Sequence, residues 1–180
     1  MKTSPPDSDL GTLEEVDGRS VVRFERTYAH PIERVWAALT DPDELAHWYP
    51  TTIEGDLEAG PGAALRFEFR FEGIDGFDGH LDEYDPPRIL AFHWGPDALR
   101  WELHPTAEGC RLEFTDSFST IEKAARDSTG WHVCLAQLDD RLVGGSMPAP
   151  TDEMPDEWKG LFEVYADRYP PAASTLTEPD

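Results

Sequence analysis

Six histidines and 37 acidic residues are the groups in this chain equipped for acid–base chemistry. Histidine is the usual proton carrier near neutral pH. His132 is the first to weigh. It follows Trp131 and lies one position off the helical stripe Trp131, Leu135, Leu138 and Leu142, so it borders whatever that stripe faces. His80, His93 and His104 share the polar phase of alternating segments and are expected on a wetted outer face, whereas His30 and His47 flank helices. Among the carboxylates, Asp116 continues the inward phase of Cys110, Leu112 and Phe114, where a charge without a partner is costly. A turn or cap position at the strand end is the plainer expectation for it. Glu83 continues the inward phase of its own strand and is expected at the rim. His132 and Asp116 are the catalytic candidates, and no motif supports either.

Other chemistries lack their residue sets. A metal centre needs three or four ligands at spacings such as HxxxH or CxxC, and none occurs, so no metal site is expected. Cys110 and Cys134 form no CxxC pair and read as buried free thiols. Gly73, Gly76 and Gly79 fall between strands with no helix start behind them to receive a phosphate, and there is no GxSxG elbow. No cofactor is expected. What the chain does offer is aromatic surface. Trp48, Tyr49, Phe69, Trp94, Trp101 and Trp131 all fall on inward phases, where bulky rings can line a cavity and indole N–H or phenol O–H can orient a ligand's polar end. With His132 they form the expected ligand-binding set.

The elements that would position these residues follow from period and punctuation. Val21 to Tyr28 alternates as a half-buried strand. Pro31 opens a helix whose Ile32, Val35, Trp36 and Leu39 make one apolar stripe. A second short helix starts with Asp41 as cap, Pro42 at the first position and Glu44 completing a capping box. From Ile53 to Phe118 the period is two: Leu65, Phe67, Phe69 and Phe71 against Arg66, Glu68, Arg70 and Glu72, with four more strands separated by Gly, Pro and Asp clusters. Their apolar face is too large to leave wet. The cover is a long helix starting from a Ser119–Glu122 capping box and ending at Gly144-Gly145; Gly130 interrupts it, as a kink or a close approach. An acidic loop from Pro148 to Pro155 and a stripe of Trp158, Leu161, Phe162 and Tyr165 follow.

The predicted class is α+β: a curved antiparallel sheet of six to seven strands wrapped around a long C-terminal helix, with two short helices after the first strand. One domain spans residues 19–170, between flexible tails at 1–18 and 171–180. With 15 basic and 37 acidic residues the net charge is −22, which weighs against nucleic acid and against anionic membrane surfaces. No apolar leader and no run of about 18 apolar residues is present, so a cytoplasmic location is expected, in keeping with two unpaired cysteines.

This order of elements, with Pro31-Ile32-Glu33-Arg34-Val35-Trp36-Ala37-Ala38-Leu39-Thr40-Asp41-Pro42, resembles the helix-grip superfamily of START-like and Bet v 1-like (SRPBCC) proteins. Trp48-Tyr49-Pro50, the segment Asp85 to Leu90 with Phe92-His93-Trp94, and Gly130 to Leu135 extend the likeness over residues 21 to about 145. Within the superfamily the chain is similar to bacterial proteins related to the C-terminal domain of the Hsp90 ATPase activator. The resemblance implies a small-molecule cavity between sheet and long helix. Binding of a small, mostly apolar or aromatic ligand is therefore the leading function, and it is favoured over catalysis. The alternatives are an enzyme of cyclase, dehydratase or isomerase type using a cavity His or Asp, and a chaperone-cofactor-like interaction domain. The last is weakened by the lack of a separate N-terminal domain. A homodimer through a sheet edge is left open, opposed by the net charge.

Overall fold

The computed structural model describes residues 5–70, 73–145 and 156–176. The period-two segments build one antiparallel sheet of eight strands: β1 (Thr12–Val16), β2 (Arg19–Tyr28), β3 (Thr51–Glu54), β4 (Ala64–Phe69), β5 (Phe77–Asp85), β6 (Ile89–Trp94), β7 (Asp97–Thr106) and β8 (Gly109–Phe118). Their order is β1-β2-β8-β7-β6-β5-β4-β3, so the chain closes β2 onto β8 and otherwise pairs neighbours in sequence. Helices α1 (Ile32–Thr40) and α2 (Pro42–Leu45) bridge β2 to β3, α3 (Ala124–Leu142) covers the sheet, and α4 (Asp156–Arg168) packs beside α3. The fold is the expected helix-grip class. Phe71 and Glu72 and the acidic loop from Pro148 to Pro155 lie outside the described residues.

The sheet begins earlier than the sequence suggested, which is why it exceeds seven strands. Thr12–Val16 falls inside the stretch expected to be a tail, yet it pairs with β2 from Thr12↔Arg23 to Val16↔Arg19. Asp17 and Gly18 both have positive φ, at 51° and 79°, the conformation of a tight two-residue hairpin. Asp-Gly is the sequence signal for such a turn, and Leu13, the one residue of β1 that is not exposed, is its weak companion. The segment is also held from the far end of the chain. Gly11 N donates to the Tyr165 hydroxyl at 3.0 Å, and the Tyr169 hydroxyl donates back to Gly11 O at 3.1 Å. At the other terminus, Pro171–Ser174 forms a 3-10 turn with Ala173 fully buried, inside the stretch expected to be the second tail.

Helix entry differs from the capping signals. Asp41 does cap α2, accepting from Asp43 N at 2.9 Å. Glu44 instead turns to Arg141 (2.9 Å) and Arg34 (3.1 Å), which holds its carboxyl below the usual range and ties α2 to the end of α3. The Ser119–Glu122 box does not form. The chain runs through a 3-10 turn at Ile121–Lys123, and α3 starts without a side-chain cap because Lys123, at the cap position, has no acceptor to offer. Gly79 shows why an inward position of β5 lacks a side chain: a Cβ there would lie 2.0 Å from His93 O and 2.7 Å from the Phe67 ring.

Candidate functional site

Alternation places Trp101 and Phe114 opposite each other on β7 and β8, where their rings stack at 3.9 Å. Trp131, on the buried stripe of α3, comes down onto that pair at 5.9 and 4.7 Å between centroids. Tyr49, from the α2–β3 link, and Trp94, from the end of β6, reach the same indole at 5.9 and 5.5 Å. Phe69 on β4 touches Trp94 at 6.1 Å. Trp48 packs on Tyr49 and Trp101, and its Nε1 donates to Ala38 O at 2.8 Å, bracing α1. Six of the seven residues expected at the ligand site therefore form one contiguous aromatic cluster around Trp131. Trp48, Tyr49, Trp101 and Trp131 are buried, and Phe69 and Trp94 are half-buried at its edge.

His132 stands apart. Adjacent side chains on a helix diverge by about 100°, so when Trp131 faces the sheet His132 turns towards α4. Its Nδ1 lies 2.9 Å from the Tyr165 hydroxyl and its ring meets Phe24 edge-on. Burial, reinforced by the charge of Arg26, lowers its pKa to about 4. It is a neutral brace between α3 and α4.

Asp116 is the larger surprise. It is not a rim or cap residue but is 1% exposed, with Oδ2 accepting from Trp131 Nε1 at 2.9 Å. Burial first, then the charges of Asp97 and Asp127, push its pKa well above the carboxylate range against the opposing effect of Lys123. Asp97, Asp116 and Asp127 bring oxygens within 4.8 Å of one another. Lys123 already serves this group: its Nζ pairs with Asp97 and lies 2.9 Å from Asp127. Burial works against that ammonium, but the two carboxylates outweigh it and its pKa is raised. Glu83 faces outward to Arg100, because a bulge between Leu81 and Glu83 reverses the phase of β5.

Of the nine buried side-chain polar atoms without a hydrogen-bond partner among the described residues, three lie at the aromatic cluster: the Tyr49 hydroxyl, Trp94 Nε1 and Asp116 Oδ1, each belonging to a residue that touches Trp131. Burial raises the Tyr49 phenol well above its ordinary pKa, so it stays a neutral donor. On α3, a Cβ built at Gly130 would meet no atom within 4 Å, so the glycine does not mark a close approach of another element. One turn on, the Cys134 thiol is free and pushed up to about 12 by burial; Cys110 is free as well.

A separate open cleft of about 530 Å³ lies where β2 leaves the sheet, lined among others by Asp9, Arg26, Tyr28, His30 and Asp139. It contains none of the expected site residues.

On the outer face, His80 and His93 are directly paired across β5 and β6, and His104 meets Glu102 and Glu113. All three thus sit where the alternation placed them. That Asp82 joins His80 and His93 in one cluster could not be read from spacing alone. The visible trace is the short segment His80-Leu81-Asp82, which acquires meaning only once β6 is set beside it.

The family model for the "activator of Hsp90 ATPase homolog 1-like protein" matches residues 29–143. No curated protein matches the sequence. Among solved structures, a conserved protein of unknown function from Enterococcus faecalis superposes with a TM-score of 0.68 at 18% identity, covering 88% of this chain and 89% of that one. A protein from Bordetella parapertussis gives 0.65 at 27% identity over 93% and 96% of the two chains. CalU16 from Micromonospora echinospora gives 0.64 at 20% identity over 87% and 94%. The helix-grip architecture is common to them. No helix among the described residues is long and apolar enough to cross a membrane.

Proposed function

We propose that this chain, which belongs to the activator of Hsp90 ATPase homolog 1-like family, binds a small, mostly apolar or aromatic molecule with one neutral polar end, seated beside Trp131 between the sheet and α3. The fold often binds ligands. The observation that carries the reading here is the set of buried, partnerless polar atoms on Tyr49, Trp94 and Asp116 around a single indole. Native interiors rarely leave such groups unmatched, since each costs about 1–3 kcal/mol. A hydroxyl or carbonyl on the ligand would accept from the Trp94 N–H and Tyr49 O–H, while its apolar body lies on Phe69, Trp94 and Trp131. The raised pKa of Asp116 favours a neutral partner over an anion.

The test is a thermal-shift and tryptophan-fluorescence screen with neutral aromatic, polyketide-like, steroid and fatty-acid compounds, repeated on Tyr49→Phe. Phenylalanine keeps the ring packed on Trp131 and removes only a hydroxyl without a hydrogen-bond partner, so the variant should fold at least as well as wild type. A compound that raises Tm and quenches Trp emission in wild type but not in the variant supports the site. Equal binding by both, or no response to any class, overturns it.

A second reading rests on Asp116 alone. A buried carboxyl whose pKa is raised by desolvation holds its proton more firmly than an exposed one and is placed to deliver it, as a cyclase, dehydratase or isomerase requires. Asp116→Asn that binds a ligand normally but fails to convert it would establish that reading; full conversion by the variant would end it.

A further inference from the structure

We propose that His80, Asp82 and His93 form a binding site for a divalent first-row transition metal such as Zn²⁺ on the outer face of the sheet, far from the chemistry assigned to the interior. Three features of the strands build it. His80 on β5 and His93 on β6 are directly opposite, and their imidazoles lie face to face with centroids 4.3 Å apart and 14° between planes. Alternation along β5 puts Asp82, two residues on from His80, on that same side. The Asp82 carboxylate reaches a nitrogen of each ring, with Oδ2 at 2.8 Å from His93 Nδ1 and Oδ1 at 3.3 Å from His80 Nε2.

These are the donor spacings of a metal shell. Ligands about 2.0–2.1 Å from a tetrahedral ion are about 3.3 Å from one another. One donor atom from each of the three residues lies within 4.8 Å of the others, so small side-chain rotations complete the geometry. Two imidazoles and one carboxylate suit Zn²⁺, Co²⁺, Ni²⁺ or Cu²⁺, whereas Mg²⁺ and Ca²⁺ prefer oxygen donors throughout. Side-chain exposures of 50%, 34% and 38% leave the remaining coordination positions open to water. The arginines on the flanking strands are already paired, Arg100 with Glu83 at 2.6 Å and Glu102 at 3.1 Å and Arg66 with Glu68 at 2.6 Å and Asp78 at 3.2 Å, and the net charge of −22 attracts cations to the surface. The acidic cluster at Asp97, Asp116 and Asp127 differs in the one respect that matters: the Lys123 ammonium already occupies the role a metal would take. A metal at His80, Asp82 and His93 clips β5 to β6.

Calorimetric titration of chelator-treated protein with Zn²⁺, in about 0.15 M NaCl to screen diffuse surface binding and with excess Mg²⁺ to occupy oxygen-only sites, tests the proposal. One equivalent of Zn²⁺ should bind wild type. His80→Ala and His93→Ala should each weaken it at least about tenfold, and Asp82→Asn, which keeps the shape of the side chain, should weaken it comparably. In ¹H–¹³C NMR the ring signals of His80 and His93 should move together with added Zn²⁺ while His104 stays in place. Unchanged affinity in the His80→Ala/His93→Ala double variant, or no binding to wild type at about 0.1 mM free Zn²⁺, overturns it. All three positions face outward, so circular dichroism should show native folds throughout.

Discussion

The indole N–H of Trp131 donates to a carboxyl group, Asp116 Oδ2, at 2.9 Å inside the sheet–helix layer, and that bond joins the aromatic cluster to the buried Asp97–Lys123–Asp127 group. Its protonation state sets the first expectation. The folded pKa of Asp116 lies above the unfolded value, so the unfolded chain gives up its proton first and stability falls as pH rises from about 4 towards the folded value. Asp116→Asn removes this loss. The difference in Tm between variant and wild type should grow in the variant's favour between pH 4 and pH 8, read by differential scanning calorimetry; a pH-independent difference would mean that Asp116 is ionised in the fold.

Tyr49→Phe should uncouple stability from binding. Deleting a buried hydroxyl that has no partner should raise unfolding free energy by about 1 kcal/mol, measured by urea denaturation. The same change should weaken any ligand found in the screen at least about fivefold, since a lost neutral hydrogen bond is worth about 1 kcal/mol. A loss of stability would show that the hydroxyl is already satisfied.

His132 contributes in the opposite pH direction. Its folded pKa of about 4 lies below the unfolded value near 6.5, so its contribution is complete above pH 6.5 and disappears as pH falls through that window. His132→Gln keeps a polar partner for Tyr165 and should flatten the wild-type stability loss between pH 6.5 and 4. His132→Ala strands the Tyr165 contact and should cost about 1–3 kcal/mol at pH 7, while ligand affinity at the Trp131 site stays within about twofold.

Lys123 pairs with Asp97 and Asp127 beside the buried Asp116, and it also lies over the Phe118 ring at 5.0 Å. Lys123→Met leaves Asp97 without its ammonium and Asp127 with Arg126 alone among the described residues, and should destabilise by about 3–5 kcal/mol. Adding Asp97→Asn and Asp127→Asn to the same chain should recover most of that loss in chemical denaturation. Failure to recover would place the cost in packing instead of charge.

What the sequence by itself determined is what local periodicity can carry. The alternation of Leu65, Phe67 and Phe69, the stripe through Val35, Trp36 and Leu39, and that through Trp131, Leu135 and Leu138 each encode one buried face; their order gave an antiparallel sheet covered by a long helix with an aromatic interior, and the motif resemblance made it a helix grip. Tertiary structure decided the rest, because periodicity says which face a residue shares but not what stands across from it. Asp116 became a buried acid only when α3 set Trp131 above it. Trp131 and His132, neighbours in sequence and about 100° apart on the helix, took different partners because the sheet packs on one and α4 on the other. A single bulge in β5 sent Glu83 outward, and strand register set Asp82 beside two histidines from different strands. Bulges, strand register and helix neighbours are settled by contacts between distant residues, and those contacts turned scattered His and Asp positions into groups with chemistry.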